Sequence, residues 1–210
     1  MSRDLWIFER AAAENGFVYI CGVDEAGRGP LAGPVYAAAC VLPAGIEIEG
    51  LDDSKKLSEK KRDEVYDRIL AVAEDWCVAS ASVEEIEQLN ILNATMLAMR
   101  RAIRGLKKLP DMALIDGNVA REMPCQARTI AGGDGKSASI AAASILAKVS
   151  RDRYMQELDR EYPAYGFAKH KGYGTKQHND AILANGPCPH HRLSFLSGLV
   201  GLMQMPGKDE

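Results

Sequence analysis

What this chain lacks narrows the reading before any motif is considered. Nowhere in its 210 residues does an apolar run approach the roughly 20 residues of a membrane span. The amino terminus mixes Arg3, Asp4, Glu9 and Arg10 among its apolar residues, so it lacks the uninterrupted core of a secretory signal. The five cysteines, at 21, 40, 77, 125 and 188, are scattered, odd in number and free of any C-x-x-C pair. Reduced thiols in a cytoplasmic protein are therefore expected, not a disulfide frame or a zinc site. His170, His178, His190 and His191 share no H-E-x-x-H pattern, and the adjacent pair cannot easily place both rings on one ion, which sets a histidine zinc centre aside. Positive charge is not in excess either, and a formal net charge of -3 argues against holding nucleic acid by bulk electrostatics. Residues 136–176 nevertheless carry eight Lys or Arg against four acids, which reads either as a basic strip or as a solvated helix face. No internal repeat, low-complexity stretch or dividing linker interrupts a composition of 47% hydrophobic and 26% charged residues, as a single domain with a real core would have.

What is present is concentrated in residues 17–35, FVYICGVDEAGRGPLAGPV. Val18, Ile20 and Val23 are β-branched and flanked by Tyr19 and Cys21, so the run reads as a buried strand delivering Asp24 and Glu25 into a glycine-rich turn. An acid at such a place is costly unless something positive meets it. Neighbours on a strand point to opposite faces, so the two acids share a ligand only if the chain bends, which Gly27 and Gly29 permit. Gly27-Arg28-Gly29-Pro30 then offers bare amides and a guanidinium beside the acids, suited to a substrate with phosphates and hydroxyls. Alone, the pair reads more readily as a strand end with solvated charges.

The rest of the chain alternates strands and helices. A helix ends at Gly16 after a Ser2 cap; residues 33–42 form a second, antiparallel strand closed by Pro43. Ser58 caps a helix reaching about Ala73, and residues 76–83 alternate toward a third strand. Leu89, Leu92, Met96, Met99, Ile103 and Leu106 recur at steps of three and four, which predicts one continuous amphipathic helix over 84–106 with the methionines as core filler. Short strands follow at 112–115 and 125–130, then a helix from Ser137 to about Tyr162 whose alanines and serines let it lie close to the sheet, and a helical tail from Lys176. The expectation is an α/β domain with a mixed sheet.

Four acids sit at element ends: Asp24, Glu25, Asp116 and Asp134, the last in a GGDGKS loop before a helix. Clustered carboxylates repel unless cations hold them, and hard oxygen donors favour Mg²⁺ or Mn²⁺ over Zn²⁺, which suggests a two-metal site. A P-loop built on Gly135-Lys136-Ser137 fails on register, since Ile130 stands where its first glycine is needed. A non-catalytic binding module would keep the lysines without needing four acids, and a resolvase or integrase would share the acids without the GRG turn.

DEAGRGPLAGPV (24–35), LDDSKKLS (51–58), LNILNATMLAM (89–99), LIDGN (114–118), GGDGKSASIAAASILAKVSRD (132–152) and GFAKHKGYGT (166–175) together resemble the type 2 ribonucleases H, in particular the bacterial ribonuclease HII family, over nearly the whole chain. The resemblance implies an RNase H-like fold, a mixed five-stranded sheet flanked by helices, with its core at about 17–162 and a small helical, substrate-contacting extension at about 163–210. It implies a divalent-metal endoribonuclease acting on RNA/DNA hybrids and incising 5′ of ribonucleotides in duplex DNA, with Asp24, Glu25, Asp116 and Asp134 as Mg²⁺ or Mn²⁺ ligands. Gly27, Arg28 and Gly29 match the motif that senses the 2′-hydroxyl, and Tyr173 matches the tyrosine that packs on the neighbouring sugar. Lys55, Lys136, Lys169 and Lys171, with Ser54 and Ser137, are the candidate phosphate contacts. In the carboxyl-terminal block GPCPHHRLSF, Leu193 stands where many members have a second basic residue. A cytoplasmic monomer is expected; the tail VGLMQMPGKDE carries no aromatic clamp-binding motif, and no protein partner is identifiable.

Overall fold

The computed structural model describes residues 4–51 and 57–199. The candidate contacts Ser54 and Lys55 lie outside the described residues, as does Ser2; the expected Ser2 cap is corrected, because the first helix begins only at Ile7, with Trp6 as its N-cap and no side-chain cap bond. Five strands, β1 (Ile20–Ala26), β2 (Val35–Val41), β3 (Asp75–Ala81), β4 (Met112–Asp116) and β5 (Gln126–Ile130), form one sheet in the order β3-β2-β1-β4-β5. The β1–β2 and β2–β3 pairs are antiparallel, whereas β1–β4 and β4–β5 are parallel, giving the expected mixed sheet. The helices are α1 (Ile7–Glu14), α2 (Glu59–Val72), α3 (Val83–Arg104), α4 (Ala138–Glu161), α5 (Phe167–His170) and α6 (Lys176–Asn185). Among the described residues no helix is long and apolar enough to cross a membrane.

Strand β2 shows why the sheet is covered on both faces. Its Val35, Ala37, Ala39 and Val41 join the α3 side of the core, while Ala38, Cys40 and Leu42 join the side of α2 and α4. With period-2 alternation and both sets apolar, neither face is left to solvent. Small residues set how near the helices come. A Cβ placed on Gly22 in β1 would lie 2.0 Å from the backbone carbon of Ser139, so α4 is seated directly against the central strand. Its Ile145 and Leu146 are fully buried, which contributes about 1.5–3 kcal/mol each.

Two further expectations are corrected. The first strand starts at Ile20, not at Phe17, and Val18 is 86% exposed. The carboxylate of Asp111 accepts the Val18 and Tyr19 amides at 3.2 and 2.9 Å, so strand pairing begins only at Ile20 opposite Met112. The 84–106 helix is not continuous either, because Asn90 has φ 64° and ψ 164°. Its side-chain oxygen accepts the Asn93 amide at 3.2 Å, so Asn90 caps a second helical segment. The helical tail expected from Lys176 stops at Asn185, where Gly186 takes φ +73°, and the short α5 was not expected; the other elements lie close to expectation, with Ser58 capping α2, Ser137 capping α4, and Ser82 with Glu85 adding an unpredicted capping box to α3. Beyond α4, Tyr165, Phe167, Ile182 and Leu196 bury against Met155 and Leu158 of its last turns and against Ala32 of the glycine loop.

Candidate active site

The pairing register places three acids at one end of the sheet. Val23 lies opposite Ile115 in the parallel β1–β4 ladder, so Asp24 and Asp116, each one residue further, lie side by side where β4 ends and two residues before β1 does. Both point to the α4 face, since Gly22 and Leu114 of the same phase contact or pack with Ile140. Glu25 has the opposite phase and faces α3, where with Arg28, Met96, Met99, Asp116 and Asn118 it lines a depression of about 220 Å³. The two neighbouring acids thus remain within β1, and it is the strand edge, not a bend after it, that presents both. Such strand ends are where open α/β sheets bind ligands.

The electrostatics of this edge are unfavourable by construction. Asp24 is 4% exposed; burial first, then the charges of Glu25 and Asp116, push its carboxyl well above the usual carboxylate range. The Ser144 hydroxyl and the Glu25 amide, the latter 2.7 Å from Asp24 Oδ1, pull it partly back. Burial likewise raises Glu25, opposed by the Arg28 guanidinium 3.2 Å from its Oε1. Asp116 accepts the Gly133 amide at 2.6 Å, which fixes the Gly133–Gly135 turn and so holds the buried Asp134 beside the start of α4.

These residues are a set of hard oxygen donors whose mutual repulsion a cation would relieve. Among the described residues, no three His, Cys, Asp or Glu side chains are gathered closely enough to hold an ion as they stand. Arg28 holds Glu25, and the Gly133 amide holds Asp116. That pattern suits Mg²⁺, which is typically bound through one or two carboxylates, water and the substrate's own phosphate oxygens.

The glycine turn lies directly after the acids, and Tyr173 lies on it. A Cβ on Gly29 would stand 3.7 Å from the Tyr173 ring, so these two sequence candidates, far apart in the chain, share one surface, with Tyr173 45% exposed. From beneath, the buried Arg151 of α4 donates to the carbonyls of Ala32, Pro34 and Lys171 at 3.0–3.2 Å. Gly27, at φ +98°, cannot bear a side chain there, because its Cβ would meet Arg151 Nε at 2.1 Å. Behind Tyr173 lie three buried rings. His178 stacks on His170 with centroids 4.3 Å apart and sets its Nε2 3.0 Å from His191 Nε2; its Nδ1 is 3.0 Å from the Tyr173 carbonyl. Burial pushes both His178 and His191 down to about 4, so these histidines are neutral structural groups.

The lysine and serine candidates separate. Lys169 is exposed and Lys136 is exposed with its Nζ 2.5 Å from the Ala131 carbonyl. Lys171 instead turns toward Glu59 of α2, at 3.5 Å. Ser137 is corrected as a substrate contact: it is fully buried, accepts the Ile140 amide as the cap of α4 and donates to Glu9 Oε1 at 2.6 Å. Residue-by-residue reading missed Ser144 and the buried arginines. Ser144 left one sign, a polar residue inside an alanine run; Arg151 and Arg192 left only their place in the resembling blocks.

The family described as Ribonuclease HII matches residues 21–197. The chain is 60% identical over 176 residues to a ribonuclease HII of Burkholderia mallei (strain SAVP1), covering 84% of this chain and 82% of that one. It is 58% identical over 177 residues to one of Paraburkholderia xenovorans (strain LB400), covering 84% and 71%. In structure it is similar to the ribonuclease H2 of Pyrococcus horikoshii OT3 (TM-score 0.75, 23% identity, 90% and 100% covered). It is also similar to the RNase HII of Archaeoglobus fulgidus, described in a complex with PCNA (TM-score 0.72, 22% identity, 90% and 98% covered), and to Bst-RNase HIII described in complex with Mn²⁺ (TM-score 0.63, 19% identity, 92% and 73% covered).

Proposed function

The chain belongs to the ribonuclease HII family, hydrolytic endonucleases acting on RNA/DNA hybrids, and from that premise we propose its mode of action. It hydrolyses the RNA strand of hybrids and incises on the 5′ side of a ribonucleotide embedded in duplex DNA, leaving 3′-hydroxyl and 5′-phosphate ends. The observation that carries this reading is the convergence of Asp24, Glu25 and Asp116 at one end of two adjacent strands, just before a glycine turn covered by Tyr173.

Asp24, Glu25, Asp116 and Asp134 would hold Mg²⁺ or Mn²⁺, which when bound supplies a lowered water pKa and charge neutralisation at the scissile phosphate. The chain's own residues do the rest. Ser144 orients Asp24 from the α4 side, and Gly133 fixes Asp116. Arg28 screens Glu25 in the free protein and is placed to exchange that partner for a phosphate oxygen. Gly27, Arg28 and Gly29 present backbone to the sugar, where only ribose offers a 2′-hydroxyl to accept and donate. Tyr173 offers a ring face to the next sugar, and exposed Lys136 and Lys169 are placed to meet phosphates further along.

The test is cleavage of a labelled DNA duplex containing one ribonucleotide, with Mg²⁺, with Mn²⁺ and with chelator, beside an all-DNA control. A metal-dependent nick 5′ to the ribonucleotide is expected. Cutting of the all-DNA control would replace the reading with a resolvase-like nuclease, and binding without a cut under either metal would leave a non-catalytic module.

A further inference from the structure

We infer that Arg192 is the positioning residue that aims the sugar-reading amides of the glycine turn; the inference rests on the reading of residues 27–29 as the 2′-hydroxyl sensor. Arg192 is fully buried. Its backbone amide donates to the Leu31 carbonyl, and His191 beside it bridges antiparallel to Ala32, so the carboxyl-terminal segment lies flush along the turn. The guanidinium reaches under that turn. Nη2 donates to the carbonyls of Gly27 and Gly33, each at 2.7 Å; Nη1 donates to Arg28 at 3.0 Å and Pro30 at 2.9 Å; Nε donates to Gly33 at 2.9 Å. A guanidinium has five N–H groups in a rigid planar fork, and here each meets a carbonyl.

The consequence follows from peptide geometry. In a trans peptide the carbonyl and the amide N–H point in opposite directions, and no cis bond interrupts the turn. Drawing the Gly27 carbonyl inward therefore turns the Arg28 N–H outward, and drawing the Arg28 carbonyl inward does the same for the Gly29 N–H. Neither amide finds an acceptor among the described residues. The outward side is where Tyr173 packs on Gly29, just beyond the end of β1, the strand that carries Glu25. One buried fork thus fixes two donors whose targets lie in the substrate. Lysine could supply the charge at this place but not five donors in a plane.

The test measures binding in the full chain carrying Asp24→Asn, so that no duplex is cut. The dissociation constants for a duplex with one ribonucleotide and for its all-deoxy counterpart give a selectivity ratio. Arg192→Lys is expected to reduce that ratio about tenfold, as the loss of one or two well-aimed hydrogen bonds would, while leaving the all-deoxy affinity unchanged. Leu158→Ala, which opens the apolar cluster beyond α4 but removes no hydrogen bond to residues 27–33, is expected to lower the unfolding midpoint and spare the ratio. A ratio unchanged by Arg192→Lys, or lowered equally by Leu158→Ala, would reduce Arg192 to a structural clamp. A ratio of one in the Asp24→Asn parent would overturn the sensor reading itself, and the inference with it. A second measurement needs no Arg192 variant. The amide resonances of Arg28 and Gly29 should respond to the ribonucleotide duplex and not to the all-deoxy one, and silence at both would overturn the proposal.

Discussion

The carboxylate end of β1 and the arginine–histidine region beneath the glycine turn are both buried and polar, yet they are built on opposite terms. At the first, Asp24, Glu25 and Asp116 crowd like charge into a low-dielectric edge, and burial with mutual repulsion raises the first two. At the second, Arg151 and Arg192 spend their donors on main-chain carbonyls, and His178 and His191 bond one another. Buried polar groups that are matched rigidify their surroundings, whereas groups left in conflict cost stability and persist where a ligand resolves the conflict. The satisfied region holds the turn in one geometry beside the strained edge.

The sharpest way to break this contrast is Asp24→Asn. It should abolish metal-dependent cleavage, by about 10³-fold or more, while raising stability by about 0.5–2 kcal/mol because a buried charge pressed by two others is removed. Turnover assays and thermal unfolding together check it; retained turnover would remove Asp24 from the site, and a lowered midpoint would remove the conflict. Next in size, Gly27→Ala should cost about 1–3 kcal/mol in chemical denaturation, since a side chain at φ +98° meets Arg151, and an unchanged midpoint would show that the turn is not held rigidly.

A pH series separates the two regions by sign. The folded histidines resist protonation to about 4 against an ordinary value of 6.5, so the stability they lend is present above pH 6.5 and is lost as pH falls through that window. Asp24 and Glu25 have raised values in the fold, so their contribution runs the other way and improves on acidification. The Asp24→Asn protein should therefore lose stability more steeply than the wild type between pH 6.5 and 4, measured as the unfolding midpoint; parallel curves would show that the two regions do not differ in sign. The smallest effect is expected from Lys171→Ala. With Nζ directed at Glu59, its loss should change stability by no more than about 1 kcal/mol and leave duplex affinity within about threefold. A larger loss of affinity would return Lys171 to the phosphate contacts.

Much of this was legible in the sequence because periodicity and capping are local. Ser58 and Ser137 start their helices where cap chemistry predicts, and the alternation of β2 is visible in its alanines. The strand order and the meeting of Gly29 with Tyr173 are not local, and no spacing in the chain announces them; for the pair, the family resemblance implies only that both residues face the substrate. Asn90 was hidden because the apolar stripe runs on either side of it in the right phase, and a single left-handed residue changes no spacing. Val18 misled because a β-branched residue was counted as strand while its amide was already committed to the Asp111 side chain. Arg192 was invisible for a different reason: a lone arginine is read as surface, and nothing in its neighbours announces carbonyls brought from residues 27–33.

The histidine stack has a polarity of its own. The Tyr173 carbonyl can only accept, so His178 must carry its proton on Nδ1 and present a bare Nε2 to His191. His191 then keeps its proton on Nε2, and its free Nδ1 receives the Cys188 amide at 2.9 Å. Gly172 N–H to His170 Nδ1, and His170 Nε2 to the Tyr165 carbonyl, assign the third ring in the same manner. Each ring is thereby locked in one tautomer, and the hydrogen bonds from Cys188 through His191 and His178 to the carbonyl of Tyr173 all run head to tail. The residue proposed to read the sugar thus sits at the accepting end of a one-way proton-donor chain, whose ring nitrogens should give distinct, non-averaging nitrogen-15 signatures.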